Sequence, residues 1–311
     1  MHTNNKINNP PLASSRAGRF DVREEVTARI VEMLEKGAGE GFAFFAQSAA
    51  QGMPINAATG KRYSGVNVLL LWVEAQERGF SSNAWMTYKQ AQAMGAQVRK
   101  GAKSVRIVYA DTVIKEKENE KGEMEFQAFG FLKTYNVFNV AEIDGLPAHL
   151  QPQPSKEVEP FELIERAESI FTATGAKLAE SPDSVRCFYR VSTDTIHMAT
   201  QDKFTCAEAY HAVKLHELIH WTGPRLERDL KNKFGSKDYA LEELVAELGS
   251  CFMAAEVGYV HKTLENHASY LESWLDVLKK DKQAIFKAAK LAGAACDYVL
   301  AFEEQAYRKA A

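Results

Sequence analysis

Long apolar runs are missing from this 311-residue chain: the longest, Val68 to Val73, has six residues, against the ~20 needed to cross a bilayer. No membrane partner is expected. The first twenty residues, MHTNNKINNPPLASSRAGRF, hold no apolar segment of the kind a secretory signal needs, so a cytoplasmic protein is expected. Cysteine is scarce. Cys187, Cys206, Cys251 and Cys296 lie far apart with no CxxC pair, which argues against a disulfide scaffold and against a thiolate zinc cage. An excess of one charge is also absent, 38 Lys and Arg standing against 41 Asp and Glu for a net charge of -3. That balance excludes a basic coat protein. What remains is ordinary for a soluble globular chain, 46% hydrophobic and 25% charged, with length enough for two modest domains.

The pattern along the chain predicts an α+β protein. Residues 1–19, rich in Asn, Ser and Pro, read as a mobile tail. Helices are expected over 21–36, where Asp21 and Glu24 open an apolar stripe, over 66–78, and in a short piece that Thr87 and Gln90 start and Gly95 closes. Residues 38–54 show no periodicity and read as loop. β-Branched and aromatic residues predict strands over 104–114 and 126–140, with KEKENEKGEME as the solvated tip of a hairpin. Four of the nine prolines (Pro147, Pro152, Pro154, Pro160) then mark a linker over 147–160. Beyond it come helices near 161–173, 205–222, 238–257, 264–279 and 281–309 and two short strands near 185–198. The expected organisation is a mixed α/β domain over 20–146 and a largely helical domain with a small sheet over 161–311.

The sharpest motif is His216-Glu217-Leu218-Ile219-His220, inside a stretch free of Gly and Pro. Four residues make about one helical turn, so both imidazoles share a face and can meet one cation. Glu217 stands beside that cation and can act as a base on water, while a zinc-type ion polarises a carbonyl. The plain alternative is a helix whose histidines face water. Against it, Glu243 and Glu247 lie one turn apart on a later helix whose other positions are small or apolar (Ala240, Ala246, Gly249, Ser250, Cys251, Ala254). Carboxylates on so buried a helix need a partner, and a metal is one. Glu243 is the expected third ligand, with Glu247 hydrogen-bonding a ligand histidine; the reverse assignment is open, and Glu242, about 100° away, is the weaker candidate. His197, His211, His261 and His267 read as structural or surface residues.

A second signal lies in residues 78–110, which hold six cations (Arg78, Lys89, Arg99, Lys100, Lys103, Arg106) and no Asp or Glu. With Lys61, Arg62 and Tyr63 just upstream in a Gly-flanked turn, and Trp85 and Tyr88 in polar surroundings, the stretch matches the chemistry of single-stranded DNA binding. Cations track phosphates and flat side chains stack on bases. A basic surface over core aromatics is the ordinary alternative.

Several long motifs resemble the ArdC-type antirestriction proteins: NAATGKRYSGVNVLLLW, WMTYKQAQAMGAQVRKGAKSV and YNVFNVAEIDGLP in the first half, then HELIHWTG, RLERDL, FGSKDYALEELVAELGSCF and HASYLESWLDVLKKDKQAIFKAA in the second. Phe42, Phe44 and Phe45 stand where that family's pattern suggests tryptophan. The resemblance implies a plasmid-borne protein with an N-terminal domain for single-stranded DNA and a zincin-like domain related to SprT-like proteases. It implies a role in shielding DNA from host restriction during conjugation. Metal ligands would be His216, His220 and Glu243, with Glu217 catalytic and Zn2+ or another divalent ion such as Mn2+ as cofactor. A peptidase substrate would be a host restriction factor or a DNA-bound protein. The alternative is protection by occupancy alone, with the metal site structural or vestigial.

Overall fold

The computed structural model describes residues 21–36, 48–49, 51–118, 124–151, 160–231, 235–258 and 267–310. The N-terminal tail, Phe42, Phe44, Phe45 and most of the linker lie outside them. Among the described residues no helix is long and apolar enough to cross a membrane. The fold is α+β, as the residue pattern predicts.

Helix α1 (Val22–Lys36) begins where Asp21 accepts a hydrogen bond from the Arg23 backbone N–H, 3.0 Å, and it buries Val26, Ile30, Met33 and Leu34. Its partner α2 (Val66–Glu77) is apolar nearly all round, and Leu69, Leu71, Trp72 and Val73 have no exposed surface. Strands β1 (Ile55–Asn56), β2 (Ala84–Thr87), β4 (Val105–Glu118) and β5 (Met124–Asn139) form one sheet in the order β1-β2-β5-β4. β1 and β2 run parallel and the other neighbours antiparallel. Thr87 and Gln90 close a reciprocal cap on the short α3 (Tyr88–Ala93), as their spacing predicts. β3 (Gln97–Val98) pairs with β6 (Ile143–Asp144) in a separate ribbon.

After the linker come α4 (Pro160–Thr174), β7 (Lys177–Ser181), β8 (Phe188–Arg190), β9 (Thr195–Ala199), α5 (Ala207–Trp221), α6 (Lys237–Val257), α7 (His267–Lys280) and α8 (Ala284–Ala310). β9 is central in a three-stranded sheet, parallel to β7 and antiparallel to β8, which leaves β8 on an edge. The sequence KLAES of β7 has no β-branched residue and follows the helix-closing Gly175, so propensity gave no sign of this strand. Pairing with β9 creates it.

α5 and α6 are buried on nearly every face, as helices at the centre of a bundle must be. They approach closely at Gly249, where a Cβ would stand 2.8 Å from Ile219 Cγ1. α1 and α2 share this core rather than closing one of their own. The Trp72 ring meets Phe252 edge-on at 5.6 Å. Thr27 Oγ1 donates to the Lys282 carbonyl at 2.9 Å, and Arg62 pairs with Glu256 at 2.7 Å.

Candidate metal centre

The one-turn spacing within α5 sets the two imidazoles nearly perpendicular, at 78°, with their Nε2 atoms 3.2 Å apart. α6, held against α5 by the Gly249 contact, brings Glu243 across from both. Its carboxylate oxygens lie 3.5 Å from His216 Nε2 and 3.7 Å from His220 Nε2. One donor atom from each of these three residues falls within 4.8 Å of the others, the only such group among the described residues.

Each ring has a second partner on its far side. His216 Nδ1 lies 3.3 Å from Glu247 Oε2, and His220 Nδ1 lies 3.0 Å from Glu242 Oε1. A carboxylate accepts and does not donate, so the Nδ1 atoms carry protons and both Nε2 atoms point inward at each other and at Glu243; once the rings lose their Nε2 protons, their lone pairs face that space. Such groups converging in a buried space need positive charge between them, as protons on the rings or as a metal cation that displaces them. The charge count agrees: Glu217, Glu242, Glu243 and Glu247 gather around the two rings, and Arg228 is the guanidinium bonded among them. The donor set therefore fits a divalent ion.

Electrostatics follow from the burial. Burial alone would raise the Glu243 carboxyl, but the His216 and His220 imidazoles outweigh it and bring its pKa to about 2. Burial opposes protonation of both histidines, yet Glu243 and Glu247 lift His216 well above its ordinary value, and Glu242 and Glu243 lift His220. The centre thus attracts positive charge. Burial pushes the Glu217 carboxyl up against the pull of the two histidines, with the Tyr189 backbone of edge strand β8 adding a smaller pull in the same direction as theirs. Glu217 lies beside the cluster without joining the inward-facing set.

Two family models match the chain. The N-terminal domain of anti-restriction factor ArdC covers residues 20–138, and a zincin-like metallopeptidase covers residues 165–291. The crystal structure of the antirestriction ArdC protein from plasmid R388, metal-free, superposes with a TM-score of 0.75 at 36% identity over 92% of this chain and 99% of that one. The chain belongs to the ArdC antirestriction family. The Mn(II)-bound structure of the same R388 ArdC protein gives a TM-score of 0.73 at 37% identity, over 91% of this chain and 98% of that one. An uncharacterized protein, y4eC, of Sinorhizobium fredii is 36% identical across 93% of this chain and 94% of its own length. Two Escherichia coli proteins named DNA primase TraC are 39% and 41% identical over 91% and 81% of this chain, which spans only 27% and 18% of their lengths.

Within this ArdC-type fold the basic stretch divides. Lys61, Lys89, Lys100 and Lys103 are exposed and have no ion-pair partner among the described residues. Arg62 is committed to Glu256, Arg99 to Asp144 at 2.7 Å and Arg106 to Glu25 at 2.9 Å. Arg78 bridges Glu74 and Glu142. Tyr88 is 40% exposed, whereas Tyr63 is half-buried and accepts a hydrogen bond from Asn56 Nδ2. The Gly-flanked turn spends its amides internally, since Asn56 Oδ1 accepts from the Ala58 and Thr59 N–H groups.

Trp85 corrects the expectation that it stacks on bases. It is fully buried and packs against Phe80. Its strand is covered on both faces, Trp85 entering one cluster and Met86 the other, so the polar residues before it said nothing about its own exposure.

Sequence reasoning passed over Arg228 and weighed Glu242 only as the weaker ligand candidate, not as the partner of His220 Nδ1. The Arg228 guanidinium donates to both Glu242 oxygens and also reaches Thr222 Oγ1 and the Ile219 carbonyl, 2.6 to 3.1 Å in all. A second group ties the β8–β9 hairpin to the end of α5. Asp194 accepts from the Tyr189 hydroxyl and from Arg225, each at 2.8 Å, while the Arg225 guanidinium lies 3.6 Å over the Trp221 ring. His197 and His211 serve structure. His211 is buried beside Glu168, and His197 stacks on Phe188. His261 lies outside the described residues.

Proposed function

We propose that this chain acts in the cytoplasm to protect plasmid DNA entering a new host from restriction during conjugation, holding single-stranded DNA on its N-terminal half and cleaving peptide bonds at the α5–α6 centre. The observation that carries the reading is the convergence of His216, His220 and Glu243 on one buried space with Glu217 beside it. His216, His220 and Glu243 would hold the divalent ion. Two imidazoles and a carboxylate suit Zn2+, and the Mn(II)-bound relative supports Mn2+ as well. Such an ion polarises a carbonyl and makes water more acidic.

The protein's own groups do the rest. Glu247 and Glu242 fix the ring tautomers and orientations. Glu217, with its carboxyl raised by burial beside the two histidines, takes the proton from the attacking water and returns it to the leaving amine. The substrate class is a protein bound on the incoming DNA or a host restriction factor. Lys61, Lys89, Lys100 and Lys103 track phosphates beside Tyr88. ArdC membership and kinship with proteins named DNA primase support the nucleic-acid setting.

The test is Glu217→Gln in a mating assay against a restricting recipient. Loss of protection is expected, with metal content and DNA affinity retained. Full protection by this variant would assign the effect to occupancy of the DNA alone.

A further inference from the structure

The β4–β5 hairpin carries two large aromatics that the core does not use. Val105, Ile107 and Tyr109 alternate onto one face of β4, and the register sets Val137, Tyr135 and Lys133 directly opposite them on β5. The lower part of this face is covered: Val105, Ile107 and Val137 are buried under Leu71, Ala75 and Trp85, with Tyr63 and Phe80 at the rim. One step further out the cover ends. Tyr109 is 51% and Tyr135 45% exposed, and their rings meet at 6.3 Å with an interplanar angle of 78°. They are diagonal neighbours across the ribbon, and exposed Lys133 lies opposite Tyr109.

Single exposed aromatics are ordinary on protein surfaces. Two in contact on an uncovered sheet face, with a cation in the next register position, form a more specific arrangement. A near-perpendicular pair leaves ring surface that neither partner covers, and π surface beside positive charge is the chemistry that receives a base and its phosphate. A protein partner would favour a broad apolar patch, and among the described side chains of this face the aliphatic ones, Val105, Ile107 and Val137, are already buried. We infer that Tyr109 and Tyr135 form the base-stacking platform for single-stranded DNA, in the place that sequence reasoning gave to Trp85. This inference rests on the single-strand-binding reading above. It places the contact on the ribbon beyond the Tyr63 rim, on the chain that follows the cationic turn holding Lys100 and Lys103.

The test is anisotropy of a fluorescein-labelled oligothymidylate titrated with full-length protein at several salt concentrations. Tyr109→Ala and Tyr135→Ala should each weaken binding about tenfold while leaving the salt slope unchanged, because no phosphate contact is lost. Tyr109→Phe and Tyr135→Phe should bind like the parent, since they keep the ring and lose only the hydroxyl. If the parent binds with a salt-dependent affinity and both alanine variants match it, the platform is refuted and the broader reading stands. If the parent does not bind the oligonucleotide, both fail. Should an alanine variant lose its cooperative thermal transition, Tyr109→Leu and Tyr135→Leu replace it, and parent-like binding by folded leucine variants would equally refute stacking. A concentration-dependent dimer that the alanine variants abolish, with DNA binding unaltered, would reassign the face to self-association and overturn the inference.

Discussion

Glu242 Oε1 lies 3.0 Å from His220 Nδ1, and the same carboxylate takes two hydrogen bonds from the buried Arg228. The His220 ring is therefore oriented by a carboxylate that is itself held in place. Glu242→Ala should lower divalent-metal affinity by about 10–100-fold and, because it leaves Arg228 without its carboxylate, should also cost stability. Isothermal titration of chelator-treated protein with Zn2+ measures this, and unaltered affinity would deny Glu242 the orienting role.

Arg228 is the other half of that pair. Removing one partner of a buried ion pair costs about 3–5 kcal/mol, because the remaining charge is left uncompensated. Arg228→Ala should therefore destabilise strongly in denaturant unfolding. Pairing it with Glu242→Gln should recover part of the loss, and a double variant no more stable than Arg228→Ala would show that the two side chains do not act as a unit.

Gly249 sets the spacing between the two helices. A Cβ there would stand 2.8 to 3.0 Å from three carbons of Ile219, the residue before His220. Gly249→Ala should cost about 1–3 kcal/mol and weaken metal binding by displacing α5. Adding Ile219→Val should relieve part of the clash. Parent-like stability of Gly249→Ala would mean that the helices separate without penalty.

The histidine shifts give the sign of the pH response. In the metal-free protein both imidazoles have raised pKa values, so their contribution to stability is full below the unfolded-state value and lost as pH rises through the folded one. Glu243, held at about 2, contributes above its unfolded value and loses that contribution only as pH falls toward 2. Metal must displace the histidine protons. Its apparent affinity should rise with pH across neutrality, and the stabilisation that metal gives in thermal melts should rise with it. A flat or inverted profile would contradict the inward-facing Nε2 arrangement.

Of the candidate DNA contacts, the unpaired lysines should dominate the salt dependence. Lys100→Glu with Lys103→Glu should reduce the slope of log K against log salt by about 2 or more, whereas Arg99→Gln, which loses a cation already paired with Asp144, should change it little. Equal effects from both would show that the ion pair opens on binding.

The two histidines were legible because an i, i+4 pair on an uninterrupted helix fixes a shared face with no knowledge of tertiary structure. Glu243 and Glu247 could be singled out by the small, apolar positions around them. Glu242 could not, since periodicity reports angles on one helix and not how widely the facing helix spans them. Its bond to His220 depends on how α5 and α6 cross. Arg228 follows a 3-10 turn that no periodicity marks. Likewise the apolar stripe of α1 predicted burial without naming the partner, and the partner is the core of the C-terminal helices. The tyrosine pair needed the register of β4 on β5, which hydrophobic patterning alone leaves open.

Under the proposed function, His216, His220 and Glu243 hold one divalent ion. Metal analysis after dialysis against Zn2+ or Mn2+ tests it directly, on the parent chain and on His216→Ala, His220→Ala and Glu243→Ala, each checked for a cooperative thermal transition. The parent should retain a single ion per chain and each folded variant should lose it. Full retention of the ion by any one folded variant would contradict the assignment.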